Sequence, residues 1–192
     1  SYDQSGNDYH ATVYGDVFLT DDHHGNAESA YYFNGDNDES RIVTDSDNMD
    51  LSNRSHTISL HVKPDEAAYG HSHLFGHGTA SGNHGLHSRF QGSNSILYGF
   101  WNNDVGVSQP FPGSTDWHHF IYVYDYDNNT RSVYADGILI DEPNYPGSPY
   151  QGVGHLVIGS HVYDYGGNPD PWYGTIDEFI VWDVALSEEE LV

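Results

Sequence analysis

Apolar and polar residues alternate with a period of two along most of the chain. In 56–63, Ile58, Leu60 and Val62 share one side while Thr57, Ser59 and His61 take the other. In 86–90, Leu86 and Phe90 point one way, His87 and Arg89 the other. That period is the strand period, since successive Cβ atoms leave a strand on opposite faces. Similar short runs occupy 11–14, 29–33, 95–101, 118–124, 132–135, 137–140, 155–158 and 175–182. In 118–125 both faces are apolar or aromatic, which suits a central strand. Turn clusters such as Asn34-Gly-Asp-Asn-Asp38, Asp127-Asn-Asn129 and Asp136-Gly137 separate the runs, and Asp-Gly is a two-residue hairpin signature. The pattern predicts an all-β antiparallel sandwich or barrel. One helix is expected, at the C-terminus, where Ser187 and Glu190 have capping-box spacing.

The 192 residues suit one domain, 1–192. Five Lys and Arg stand against 29 Asp and Glu, a net charge of −24. Such a field excludes ordinary nucleic-acid binding, which needs cations to neutralise phosphate. It also argues against anionic membranes, and no apolar run approaches the ~20 residues of a membrane span. There is no cysteine, hence neither disulfide nor thiol chemistry. The Asp-rich surface has two readings: solubility in a saline exterior, or Asp and Asn loops that ligate Ca²⁺. Both point to an extracellular or cell-surface setting, and the abrupt ends to a module of a larger, multidomain parent. The sequons Asn53-Arg-Ser55 and Asn128-Asn-Thr130 are too short to decide this.

Several segments in order resemble the laminin G-like, concanavalin A-like lectin/glucanase domains. They are Ala11-Thr-Val-Tyr-Gly15, Ala30-Tyr-Tyr-Phe-Asn-Gly-Asp36, His56 to Pro64, Gly85-Leu-His-Ser-Arg-Phe90, Asp116-Trp-His-His-Phe120, Tyr134-Ala-Asp-Gly137, His155-Leu-Val-Ile-Gly159 and Gly174-Thr-Ile-Asp-Glu-Phe-Ile-Val-Trp182. The resemblance implies a jelly-roll sandwich that binds glycans, binds proteins or spaces other modules. It also implies a structural calcium tying the 34–38 turn to the last strand, with Asn34, Asp36 and Asp177 as ligands. Taken alone, Asn34 and Asp36 are equally turn formers and Asp177 a partner of backbone donors.

Enzymatic activity is not expected. A retaining glycosidase needs two carboxylates about 5–5.5 Å apart; Asp177 and Glu178 are adjacent, so a regular strand turns them to opposite sides. Five histidines fall between His71 and His87, but without the spacing of a helical zinc pair; in a strand His71 and His73 would share a face, compatible with a metal or with hydrogen bonding to a sugar, and a polar Gly-rich loop is the plainer reading. His118 and His119 straddle one strand. Trp117 is expected to bury its ring where its strand enters the core.

Sugar binding is the leading functional expectation, because pyranose C–H faces stack on aromatic rings while a few polar groups bond hydroxyls. Two loops carry that mixture, and they supply Trp101, Asn102, Asn103 and Asp104 on one side, Tyr163, Tyr165 and Trp172 on the other. His87 and Arg89 face the same way between them, and 143–150 offers a third wall. Acid repulsion favours a neutral or cation-bridged glycan. A structural or protein-binding spacer is the competing class.

Overall fold

The period-two runs become strands whose apolar sides meet between two sheets. The computed structural model describes residues 2–141, 147–164, 166–167 and 169–191. In chain order the strands are β1 (Ala11–Tyr14), β2 (Val17–Thr20), β3 (Ala30–Phe33), β4 (Arg41–Thr44), β5 (Met49–Asp50), β6 (His56–Pro64), β7 (His71–Gly78), β8 (Gly85–Gln91), β9 (Ser95–Phe100), β10 (Asp104–Ser108), β11 (His118–Asp125), β12 (Thr130–Ala135), β13 (Ile138–Asp141), β14 (Val153–Gly154), β15 (Leu156–Ile158) and β16 (Gly174–Trp182). One sheet has the order β1-β4-β15-β7-β8-β9-β10, the other β13-β12-β11-β6-β16-β3-β2, and β5 pairs with β14 alone. Every pairing is antiparallel. The two late strands β15 and β16 insert into the middle of the two sheets, so each sheet closes only when both ends of the chain are present.

The core lies between the sheets. Ile58, Leu60 and Val62 of β6 and Phe120, Tyr122 and Tyr124 of β11 face Phe75, Leu86, Phe90, Tyr98 and Phe100 of the other sheet. Aromatic rings cross the gap edge to face, with Phe75 to Tyr122 at 5.2 Å and Phe100 to Tyr124 at 4.9 Å between centroids. Each buried side chain of this size contributes about 1.5–3 kcal/mol. Ring geometry of this kind adds up to ~1.5 kcal/mol per pair.

Three expectations change. The chain between His71 and Gly78 is not a loop but a central strand, β7, with seven of its eight residues buried. Its polar groups have partners inside: His77 lies between the Tyr150 hydroxyl at 2.7 Å and the Met49 carbonyl at 3.1 Å. Gly76 is required there, because a Cβ would stand 2.4 Å from the Val162 nitrogen of the segment laid over β7. At the C-terminus half of the capping box forms: the Glu190 carboxylate accepts from the Ser187 N–H at 2.9 Å and hydroxyl at 2.8 Å, while the Glu190 N–H donates to the Ser187 carbonyl at 2.9 Å. It closes a single turn rather than the expected helix, since one backbone bond does not offset helix nucleation. Trp117 is half-buried outside the core, edge to face with His23 at 6.1 Å between centroids.

Candidate functional site

The outer face of the first sheet carries a polar and aromatic cluster built on β7 and β8. His73 pairs with Arg89, and His87 lies opposite Gly76 on one side and Gly99 on the other, so no side chain crowds it from either neighbouring strand. The segment after β15 folds back over these strands and adds His161. The three imidazoles pack together, His73 to His161 at 4.3 Å and His87 to His161 at 5.1 Å between centroids.

Above them stands Trp101, at the tip of the β9–β10 hairpin. The Phe100 N–H donates to the Asn103 carbonyl at 3.2 Å, closing a loop whose two central residues both have positive φ, +41° at Trp101 and +60° at Asn102. This is the primed turn that normally calls for Asn-Gly. A bulky residue at positive φ is an outlier that costs ~1–3 kcal/mol and points to a use for its side chain. The Trp101 ring meets His161 at 5.1 Å and His87 at 6.3 Å, edge to face, and stays half-exposed.

Burial holds the imidazoles neutral. Desolvation, reinforced by neighbouring His87 and Arg89, lowers His161 to about 3. His73 is held well below the ordinary histidine value by the same cause, with His161, His87 and Arg89 adding to it. His87 is also lowered by desolvation, against the opposing pull of Asp104. Both His87 nitrogens face acceptors, Nδ1 the Gly85 carbonyl at 3.1 Å and Nε2 the Asp104 carboxylate at 3.3 Å. A neutral ring donates to only one of them. The other nitrogen and its facing oxygen together present two acceptors to an incoming hydroxyl.

Of the sequence-predicted binding residues, His87, Arg89, Trp101 and Asp104 come together here, and Asn102 sits exposed beside them. Asn103 does not take part. Its amide donates to Asn83 Oδ1 and the Ser148 carbonyl, and its oxygens accept from Arg131, so it anchors the hairpin. Trp172 is fully buried in the core, edge-on to Phe90 at 5.1 Å, and cannot touch a ligand. Tyr163 is exposed but lies towards β4, against His155 and beneath the Arg41 guanidinium. Tyr165 and residues 142–146 of the expected third wall lie outside the described residues, while Tyr150 beyond them is a core residue. His73 and His161 also join the cluster: the plainer sequence reading places His73 in a polar loop, with a strand face shared with His71 as its alternative, and His161 is carried in by a chain reversal that leaves no periodic trace.

The three metal candidates are not brought together. Phe33 is level with Gly174 and Tyr31 with Ile176, so Asp177 is level with Ala30, while Asn34 lies beyond the other end of β3. Four strand positions separate them, about 13 Å. Asp36 accepts from the Tyr173 hydroxyl, and Asp177 Oδ2 sits 2.6 Å from His23 Nδ1. Asn34, Asp36 and Asp177 therefore do not fit a single calcium ion. Nor does β16 turn Asp177 and Glu178 to opposite sides as a regular strand would. A bulge sets two residues of β16 against one of β6, with Glu178 at φ +46°, and both carboxylates face His23. A cleft of about 980 Å³, lined by Phe33, Ile42, Met49, Phe179 and Val181 among others, opens between the sheets and does not include the His87 cluster.

Two seven-stranded antiparallel sheets with an aromatic and histidine-rich outer face define a lectin-like jelly roll. The chain belongs to the concanavalin A-like lectin/glucanases superfamily, whose family model matches residues 34–192. Solved structures of similar fold include domain 4 of AbnA, an extracellular arabinanase from Geobacillus stearothermophilus in complex with arabinotriose (TM-score 0.67, 19% identity, 98% of this chain and 89% of that one). The Ruminococcus gnavus IT-sialidase CBM40 bound to alpha2,3 sialyllactose is also similar (TM-score 0.60, 18% identity, 73% of this chain and 82% of that one). The botulinum neurotoxin serotype D binding domain matches with TM-score 0.72 at 13% identity, 99% of this chain spanning 47% of that one. At these identities the likeness concerns the fold. No curated protein sequence matches the chain significantly.

Proposed function

We propose that the chain is a non-catalytic carbohydrate-binding module that takes its glycan on the outer face of the first sheet. The Trp101 ring stacks on a sugar face, while His87, Asp104 and Arg89 bond its hydroxyls. The observation that carries this reading is the strained φ of Trp101 on a hairpin tip above paired acceptors. Sugar-bound domains of the same fold support it. A net charge of −24 favours neutral sugars over acidic ones. The module works outside the cell or on its surface, within a larger protein.

The test is a glycan array, run with and without chelator, followed by titration of the best hit against Trp101→Asn. Asparagine tolerates positive φ, so the hairpin is kept and only the ring is lost. We expect the melting temperature to hold and affinity to fall at least tenfold, as loss of one stacking ring implies. An array without hits, or a Trp101→Asn variant that binds like the wild type, would overturn the assignment and leave a spacer role. Binding abolished by chelator and restored by Ca²⁺ but not by Zn²⁺ would place calcium in the complex. Binding indifferent to it would remove calcium from the function.

A further inference from the structure

On the outer face of the second sheet, remote from the His87 cluster, His119, His61 and Asp177 stand in one row across β11, β6 and β16. The loop after β2 lays His23 over this row, its ring stacked on His61 at 4.1 Å, with His61 in turn stacked on His119 at 4.2 Å. His23, His61 and Glu178 each offer one ligand atom, and the three atoms lie within 4.8 Å of one another. Among the described residues this is the one group of His, Asp and Glu that converges so closely.

Its chemistry is selective. Asp177 Oδ2 lies 2.6 Å from His23 Nδ1, so Nδ1 carries the proton and Nε2 presents its lone pair to Glu178 Oε2 at 3.9 Å. A carboxylate that orients a histidine in this way is the usual outer partner of a metal-bound imidazole. His61 Nδ1 is buried without a hydrogen bond, and Glu178 Oε2 stands 3.4 Å from it. Ligand atoms ~2.0–2.2 Å from a tetrahedral ion are about 3.4 Å apart; of the three pairs, His61–Glu178 is already at that spacing, His23–Glu178 lies about half an ångström beyond it, and His23–His61 lies within 4.8 Å, where the stacked rings must turn apart to aim both lone pairs at one ion. Glu178 reaches this position only through the bulge and its left-handed backbone, φ +46°, a local cost that a structural strand would have no reason to bear.

We infer that His23, His61 and Glu178 form a binding site for a borderline divalent transition ion of the zinc class, with Asp177 as the positioning residue of His23. Two imidazole nitrogens and one carboxylate oxygen suit such an ion and not calcium, which takes six to eight oxygens. A bound ion ties the loop after β2 to β6 and β16, and three protein ligands leave a further position for water.

Isothermal titration with Zn²⁺ is expected to show one saturable site per chain, with a rise in melting temperature that Ca²⁺ at the same concentration does not produce. Glu178→Asn accepts the left-handed backbone and removes the ligand; it is expected to fold normally and lose at least tenfold in Zn²⁺ affinity. Asp177→Asn should weaken binding 10–100-fold by releasing His23. Absence of saturable Zn²⁺ binding, equal stabilisation by Ca²⁺, or wild-type affinity in both Glu178→Asn and His61→Gln would each overturn the site.

Discussion

Lowering the pH from 6.5 to 4.5 is expected to remove at least about 5 kcal/mol of stability, close to the entire margin of a domain at the low end of the usual 5–15 kcal/mol range. Two histidines of the core are enough to produce it. His56 sits among the rings of Phe100, Tyr124 and Tyr150, where desolvation, reinforced by His77, lowers it to about 3. Desolvation lowers His77 to about 4, against the opposing pull of the Met49 carbonyl and Asp50. Above pH 6.5 both residues are neutral in folded and unfolded chains, and they contribute no pH dependence. Below it the unfolded chain takes up protons at both positions that the folded chain refuses, and His73 and His161 of the outer-face cluster act in the same direction, so stability falls as pH falls. Each histidine adds a slope of about 1.4 kcal/mol per pH unit down to its folded value.

The −24 charge opposes this trend, because neutralising carboxylates relieves self-repulsion. That relief begins near the ordinary carboxylate range of ~4 and comes too late to rescue the fold at pH 5. The carboxylates held low, Asp22 and Asp125 by bonds from Asn26 and Asn128 and Asp50 by Ser52, act lower still. Urea unfolding at pH 7, 6 and 5 checks the slope, and His56→Met should lower it by about 1.4 kcal/mol per pH unit. A free energy of unfolding that stays flat between pH 6.5 and 5 would show that these imidazoles are not held neutral.

Much of the architecture could be read in advance because burial imposes a period of two. Ile58, Leu60 and Val62 advertise their face, and Asp136-Gly137 its hairpin, which the structure closes with φ of +48° and +76°. β7 stayed hidden because its polar residues are satisfied by distant partners: the carbonyl that meets His77 belongs to Met49, and the hydroxyl to Tyr150. Alternation likewise assigned Asp177 and Glu178 to opposite faces, which one left-handed residue reverses. Half of the candidate site was visible as a facing pair, His87 and Arg89, next to a loop with an aromatic ring. The rest depended on knowing which side chains the fold consumes. Trp172 and Asn103 have the composition of ligand contacts, yet one fills the core and the other secures a hairpin.

Arg131→Met is expected to lower the melting temperature by about 5–10 °C and to weaken glycan binding several-fold without touching the sugar. The guanidinium is buried, lies 4.7 Å over the Phe100 ring, and donates to the Asn103 carbonyl at 2.6 Å and to Asn103 Oδ1 at 3.0 Å. Asn103 spends its amide on Asn83 Oδ1 at 3.1 Å and the Ser148 carbonyl at 3.0 Å. One arginine thus holds the base of the hairpin that carries Trp101. Methionine retains the apolar stem against Phe100 but removes two charge-assisted hydrogen bonds, each worth ~1.5–3 kcal/mol. Release from the desolvation of a buried charge offsets part of that loss, leaving a net cost of ~2–3 kcal/mol. At ~2–4 °C per kcal/mol for a domain of this size the shift follows. The comparison with Trp101→Asn is decisive, since that change strips the contact and keeps the support, whereas Arg131→Met keeps the contact and loosens the support. Calorimetry beside a binding titration at 20 °C separates them. If Arg131→Met melts within 1 °C of the wild type, the hairpin is held by its turn alone, and the strained Trp101 backbone needs another source of support.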